Sequence, residues 1–294
     1  MRRNLIFLRT QHYIALAAAL CITALLYWGV NTIPPKKASP ATVAADAPHS
    51  HAIPGGTSVE AASLEDIAAA SRKTLPVHAV QSLETLEHNI NNLHDSAAMV
   101  PIMEEISKLW QEHKQFSMAG FMKARAAHLA HSEKKLNFAG QFFLDIMHQD
   151  GEPAVHMWEA QQAVSCFNEA LEINPNNDTT KLALASGYID GTGEVMKGVG
   201  ILRGITAEHP DHIPANLMLG RMSIQSGQFD KAVTRFETVL KKEPANREAL
   251  YFLAEAYKGK GDKQKEIALF EQCKKVVNNP AFSKDVDEYI NTFK

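Results

Sequence analysis

The chain has 294 residues, enough for one large domain or two small ones, and 45% of them are apolar, an ordinary share for a globular protein. A net charge of −3 leaves no excess of Lys and Arg to neutralise phosphates, which argues against a nucleic-acid binder. The three cysteines, Cys21, Cys166 and Cys273, form no C-x-x-C pair, which excludes a zinc ribbon and a dithiol redox centre.

Residues 1–12 form a short basic tail with Arg2, Arg3 and Arg9, and residues 13–33 then carry no charge. As a helix that apolar run spans about 30 Å, the thickness of a bilayer core. Tyr13 at one end and Tyr27-Trp28 near the other sit where an aromatic belt would lie, and Pro34-Pro35 ends the run before Lys36-Lys37. A cleaved signal peptide has an apolar core of only about 7–15 residues. Its best cut site here, Ala45-Asp46-Ala47, is followed by Pro48. The expectation is an uncleaved transmembrane anchor. The positive-inside rule keeps the tail in the cytoplasm and sends the rest across, so the expected location is the inner membrane with the C-terminal domain in the periplasm. A mitochondrial presequence, also poor in acidic residues, is the weaker alternative.

Residues 34–59, rich in Ala, Pro, Ser and Gly, have too little apolar surface to order themselves and read as a disordered linker. His49 and His51 have no third ligand near them, so no metal is expected there. In 60–99, Val80, Leu83, Leu86, Ile90 and Leu93 recur at helical spacing, and a shorter helix is expected over 60–73. Both are expected to pack on the amino-terminal end of a solenoid built by the rest of the chain.

The sequence from residue 133 is periodic. Pro175, Pro210 and Pro244 recur at 35 and 34 residues, as do Phe167, Leu202, Phe236 and Phe270, and Ala163, Gly198, Ala232 and Glu266. Upstream in each unit, Leu184-Ala185, Leu219-Gly220 and Leu253-Ala254 are followed three residues later by Tyr188, Ser223 and Tyr257. This is the pattern W-x-x-L-G-x-x-Y, then A-x-x-x-F, then P, so the sequence resembles the tetratricopeptide repeat family, in the bacterial single-pass membrane-anchored form. The resemblance covers 133–278, four units. It implies an all-α, right-handed α-α superhelix of helix hairpins, here preceded by one transmembrane helix. The small residues would let helices A and B of a unit approach closely, the phenylalanines would fill the space between units, and proline would end helix B. No unit can bury its apolar face alone, so stacking supplies the stability.

The first unit is about eleven residues too long, and the excess around "HQDGEPAVHMW" is expected to lengthen the loop, with helix B starting near His156 to Glu159. Residues 100–132 align as a degenerate unit in which Ala119 takes the place of Ala232, Lys123 replaces the phenylalanine, and Met103, Ile106 and Trp110 supply the preceding helix. At the other end, Phe282, Val286, Ile290 and Phe293 form one stripe, expected as a capping helix over 281–294 with Ser283 at its start.

Motifs for chemistry are missing. Gly193 and Gly198 have the spacing of a phosphate loop, but Val199-Gly200 follow where Lys and a hydroxyl belong. The pairs His128/His131 and His209/His212 have no Cys or carboxylate partner at zinc spacing, and no nucleophile motif occurs. No catalytic residue, metal or cofactor is therefore expected.

The resemblance implies a concave groove lined by helix A of each unit. By register its residues are Asn137, Gln141 and Leu144, then Leu182, Ser186 and Ile189, then Leu217, Met218, Arg221 and Ile224, and last Tyr251, Glu255 and Lys258. The Lys/Asn clamp with which some members hold a chaperone tail is absent, since its places carry Asn137, Gln141, Ala183, Pro214 and Met218. An apolar or amphipathic protein segment is the expected ligand. The leading expectation is an anchored adaptor that assists envelope assembly, secretion or cytochrome maturation. The competing readings are an enzyme with a site in 60–132 and a self-associating structural protein.

Overall fold

The computed structural model describes residues 59–149 and 151–292. The tail, the apolar segment 13–33, residues 34–58 of the linker and Phe293 lie outside the described residues. Among the described residues there are thirteen α-helices and no strand. None of these helices is long and apolar enough to cross a membrane.

Helix α1 (Leu64–Lys73) starts four residues later than expected, because Ser63 is the residue whose hydroxyl accepts from Asp66 N, at 3.1 Å. After Pro76, α2 (Val77–Asn91) buries Ala79 and Leu83. Arg72 of α1 is paired with Glu87 of α2. The two helices pack on α3 (Ser96–Glu112) and α4 (Phe116–Leu129), and Ala62 N donates to Ala154 O at 2.8 Å.

From α3 onward the chain is a stack of hairpins. The pairs are α3 with α4, α5 (Glu133–Ile146) with α6 (Pro153–Ile173), and α7 (Asp178–Ser186) with α8 (Val195–Glu208). They continue as α9 (Ile213–Gln225) with α10 (Phe229–Lys242) and α11 (Arg247–Lys260) with α12 (Lys263–Val277). Each hairpin packs on the next, which makes a helical solenoid resembling a tetratricopeptide repeat array.

Local chemistry recurs with the repeat. The A helices α7, α9 and α11 begin after Asn177, His212 and Asn246, whose side chains accept from Thr180 N, Ala215 N and Ala249 N. These caps satisfy orphan amides at the same place in each unit. The A-to-B turns of the last three units place Gly193, Gly227 and Gly261 at φ of 72°, 69° and 76°, a left-handed conformation that glycine adopts without strain. Within hairpins, a Cβ on Gly140 would sit 2.7 Å from Phe167 Cε1, and one on Gly220 would sit 2.5 Å from Phe236 Cζ. Only glycine lets the A helix lie on the B-helix ring at that distance.

Two expectations are corrected. The first full unit does have a longer connection between its helices than the last two units, but its helix B starts at Pro153, ahead of the expected His156 to Glu159. Pro153 stands in the first turn of α6, where its fixed φ favours a helix start, and α6 runs 21 residues. Its added turns bury Trp158 and Glu159, and Trp158 packs edge-on against Phe143 with ring centroids 5.7 Å apart. At the C-terminus, α13 (Pro280–Asn291) is capped by Asn279, which accepts from Ala281 N and Phe282 N, while Ser283 lies inside the helix. Its Val286 and Ile290 cover Ala254 and Phe270 of the last hairpin.

Candidate binding groove

The A helices lie beside one another. Thr180 Oγ1 of α7 donates to Asn137 Oδ1 of α5 at 2.9 Å, and α9 and α11 are in direct contact. Arg221 Nη1 of α9 reaches Glu248 Oε1 of α11 at 3.5 Å.

This close packing removes two residues from the expected groove surface. Leu144 is 7% exposed and Leu217 is 9% exposed. Leu144 belongs to the core cluster of Phe143 and Met147, and Leu217 to that of Phe236, Leu253 and Tyr257. Both are core residues because the neighbouring A helix covers them. Leu182, Ser186, Ile189, Met218 and Ile224 remain half-buried, each with part of its side chain in solvent. Ile189 sits in a π-helical turn, Gly187–Gly191, against Gly198, where a Cβ would come within 2.5 Å of Ile189 Cγ1. Gly198 thus serves helix contact, as does Gly191, where a Cβ would come within 2.7 Å of Ala160 Cβ.

The polar residues of the face are engaged among themselves. Exposed Gln141 donates to Asp145 Oδ1 at 2.8 Å, and Lys258 Nζ lies 3.6 Å from Glu255 Oε1 and 4.7 Å from the centre of the Tyr289 ring. Partial burial pulls the Lys258 pKa down, but Glu255, Tyr289 and Glu266 outweigh it and hold the group above its ordinary value. Tyr251, 38% exposed, stands edge-on to Phe252 and to Phe270, with centroids 5.3 and 5.9 Å away. It is therefore partly core and partly exposed.

Sequence register passed over an aromatic patch beside this face. Phe138 of α5 is 63% exposed, and Lys123 Nζ of α4 lies 5.6 Å from its ring centre and 5.3 Å from that of Phe142. Burial lowers the Lys123 pKa and Glu104 partly restores it. The signal was present in "NFAGQFF" together with a lysine at a repeat phenylalanine position.

Three of the four paired histidines have structural partners. His128 Nδ1 is 2.6 Å from Glu169 Oε1, His209 Nε2 is 3.7 Å from Asp178 Oδ2, and His212 caps α9. Among the described residues no group of three or more His, Cys, Asp or Glu could hold a metal ion.

A model of the tetratricopeptide repeat family matches residues 217–275, from α9 into α12. Over those two hairpins the chain is similar to that family. Solved structures of similar fold include MamA, with 17% identity over 64% of this chain and 96% of that one at a TM-score of 0.47. Another is YrrB, described as a TPR protein with an unusual peptide-binding site, with 15% identity over 70% and 99% at a TM-score of 0.46. A third is PilW, a widely conserved type IV pilus biogenesis factor, with 14% identity over 76% and 97% at a TM-score of 0.47.

Proposed function

We propose that this chain is a membrane-anchored adaptor that binds a protein or peptide along the A-helix face of its repeats. One observation carries the reading. The half-exposed aliphatics Leu182, Ile189, Met218 and Ile224 form a strip across two hairpins, and the clusters they join contain no residue of α1 or α2. The chain's own amino-terminal helices pack on the first hairpins instead, so among the described residues they do not cover this strip. A contiguous apolar strip with its charged neighbours already paired suits an amphipathic segment better than an acidic tail. In this reading residues 13–33 form the anchor, the repeats lie on the periplasmic side, and the role is binding, in service of envelope assembly, secretion or cytochrome maturation.

The test is site-specific photocrosslinking in cells from Met218 and from Ile224, with Met196, 73% exposed on α8, as control. The expected result is a discrete adduct from the first two positions that Leu182→Asp removes. Equal adducts from Met196, or none, would refute the site, and an adduct of two copies of the chain would favour self-association. For the anchor, the protein should stay in the membrane fraction through carbonate washing with its amino terminus intact. A mature chain starting near Asp46 would overturn that part.

A further inference from the structure

A cavity of about 290 Å³ lies between α3, α4 and α6, among other elements than the A-helix face of the later hairpins. Its apolar lining includes Met99, Met103, Phe121 and Leu129, and Cys166 contributes a buried thiol. The volume exceeds the roughly 150 Å³ that holds a benzene ring and reaches the lower end of small-molecule pockets. It suits one phenyl-sized or isobutyl-sized group with a short stem.

The polar edge is asymmetric. Glu169 and His128 answer each other at 2.6 Å. Arg125 lies over the Phe121 ring, 5.8 Å from its centre, is exposed, and among the described residues makes no ion pair. A guanidinium held by an aromatic face at the edge of an apolar cavity presents its donors to an incoming carboxylate.

We propose that this cavity binds a carboxylic acid bearing one compact apolar group, with the carboxylate at Arg125 and the apolar group against Met99, Met103 and Phe121. A free acid and the C-terminal residue of a polypeptide offer the same chemistry. Both probes are titrated into the full-length chain while the methionine methyl signals of Met99 and Met103 are followed by NMR. One probe is 3-phenylpropionate and the other a short peptide ending in Phe, each compared with its amide.

The expected result is a saturable shift of those two signals, weakened about tenfold or more in the amide and in Arg125→Ala. The probe that shows this carboxylate dependence identifies the source. Arg125 is exposed, so its variant should melt as the parent does, and the amide comparison uses the unaltered chain. Absence of saturable shifts with both probes, or equal binding of acid and amide, would overturn the proposal. So would shifts that persist in Ala124→Phe, which fills the cavity.

Discussion

Replacing Gly220 by Ala tests the helix contact on which the repeat rests. Alanine is the better helix former by about 1 kcal/mol, so on an open helix face the change would stabilise. Here the new methyl would lie 2.5 Å from Phe236 Cζ and 2.6 Å from Cε1. The ring has little room to yield: Phe236 is fully buried and stacked on Phe252 at 5.9 Å with 17° between planes. Overpacking of a tight core typically costs about 1–3 kcal/mol, which outweighs the propensity gain and leaves a net loss of up to about 2 kcal/mol. Removing the ring reverses the sign. Phe236→Ala alone should cost about 3–5 kcal/mol, but in that background Gly220→Ala should stabilise by up to about 1 kcal/mol, because the methyl then enters vacated space. Urea unfolding of the four chains of this cycle, followed by circular dichroism, measures the coupling. Gly220→Ala that stabilises the parent chain would refute the close-approach argument, whatever the cost of Phe236→Ala.

Three other outcomes are expected. Glu159 is 4% exposed, with Oε1 accepting from Ser117 Oγ at 2.7 Å and Oε2 unpartnered among the described residues. Burial raises its pKa, with Ser117 and His156 opposing, so the folded chain holds this proton to higher pH than the unfolded chain. Its ionisation therefore costs stability as pH rises above the ordinary carboxyl range, and Glu159→Gln should raise the melting temperature at pH 7 with the gain vanishing toward pH 4. An equal effect at both pH values would contradict this. The Cys166 thiol is pushed up to about 12, by burial first and Glu169 second, so its peptide should resist iodoacetamide at pH 8 until the chain is unfolded. Rapid native alkylation would show that the thiol ionises readily and contradict this. Tyr251→Ala should cost about 1–3 kcal/mol through loss of two edge-on ring contacts, read by thermal melting, whereas an unchanged melt would return Tyr251 to a purely partner-facing role.

How much was legible depends on range. The period of 34 and 35, the small residues opposite Phe167 and Phe236, and the residues of the helical hairpins follow from patterns within one or two helices, where propensity, caps and turns act locally. The apolar stripe of α13 was legible for the same reason, while its cap was misplaced because Ser283 and Asn279 both carry capping chemistry and only the backbone path selects Asn279. Likewise "HQDGEPAVHMW" contains turn residues that favour a loop. From Pro153 onward the helix prevails because Trp158 and Glu159 are buried and Ala154 receives the backbone bond from Ala62, a partner some ninety residues away. Register could name the face of each A helix, but not how tightly the next helix closes over it. That distance decided that Leu144 and Leu217 are core while Met218 and Ile224 keep some exposure. The cavity at Arg125 joins three helices at no fixed spacing, so it exists only once α4 and α6 have packed with α3 beneath them.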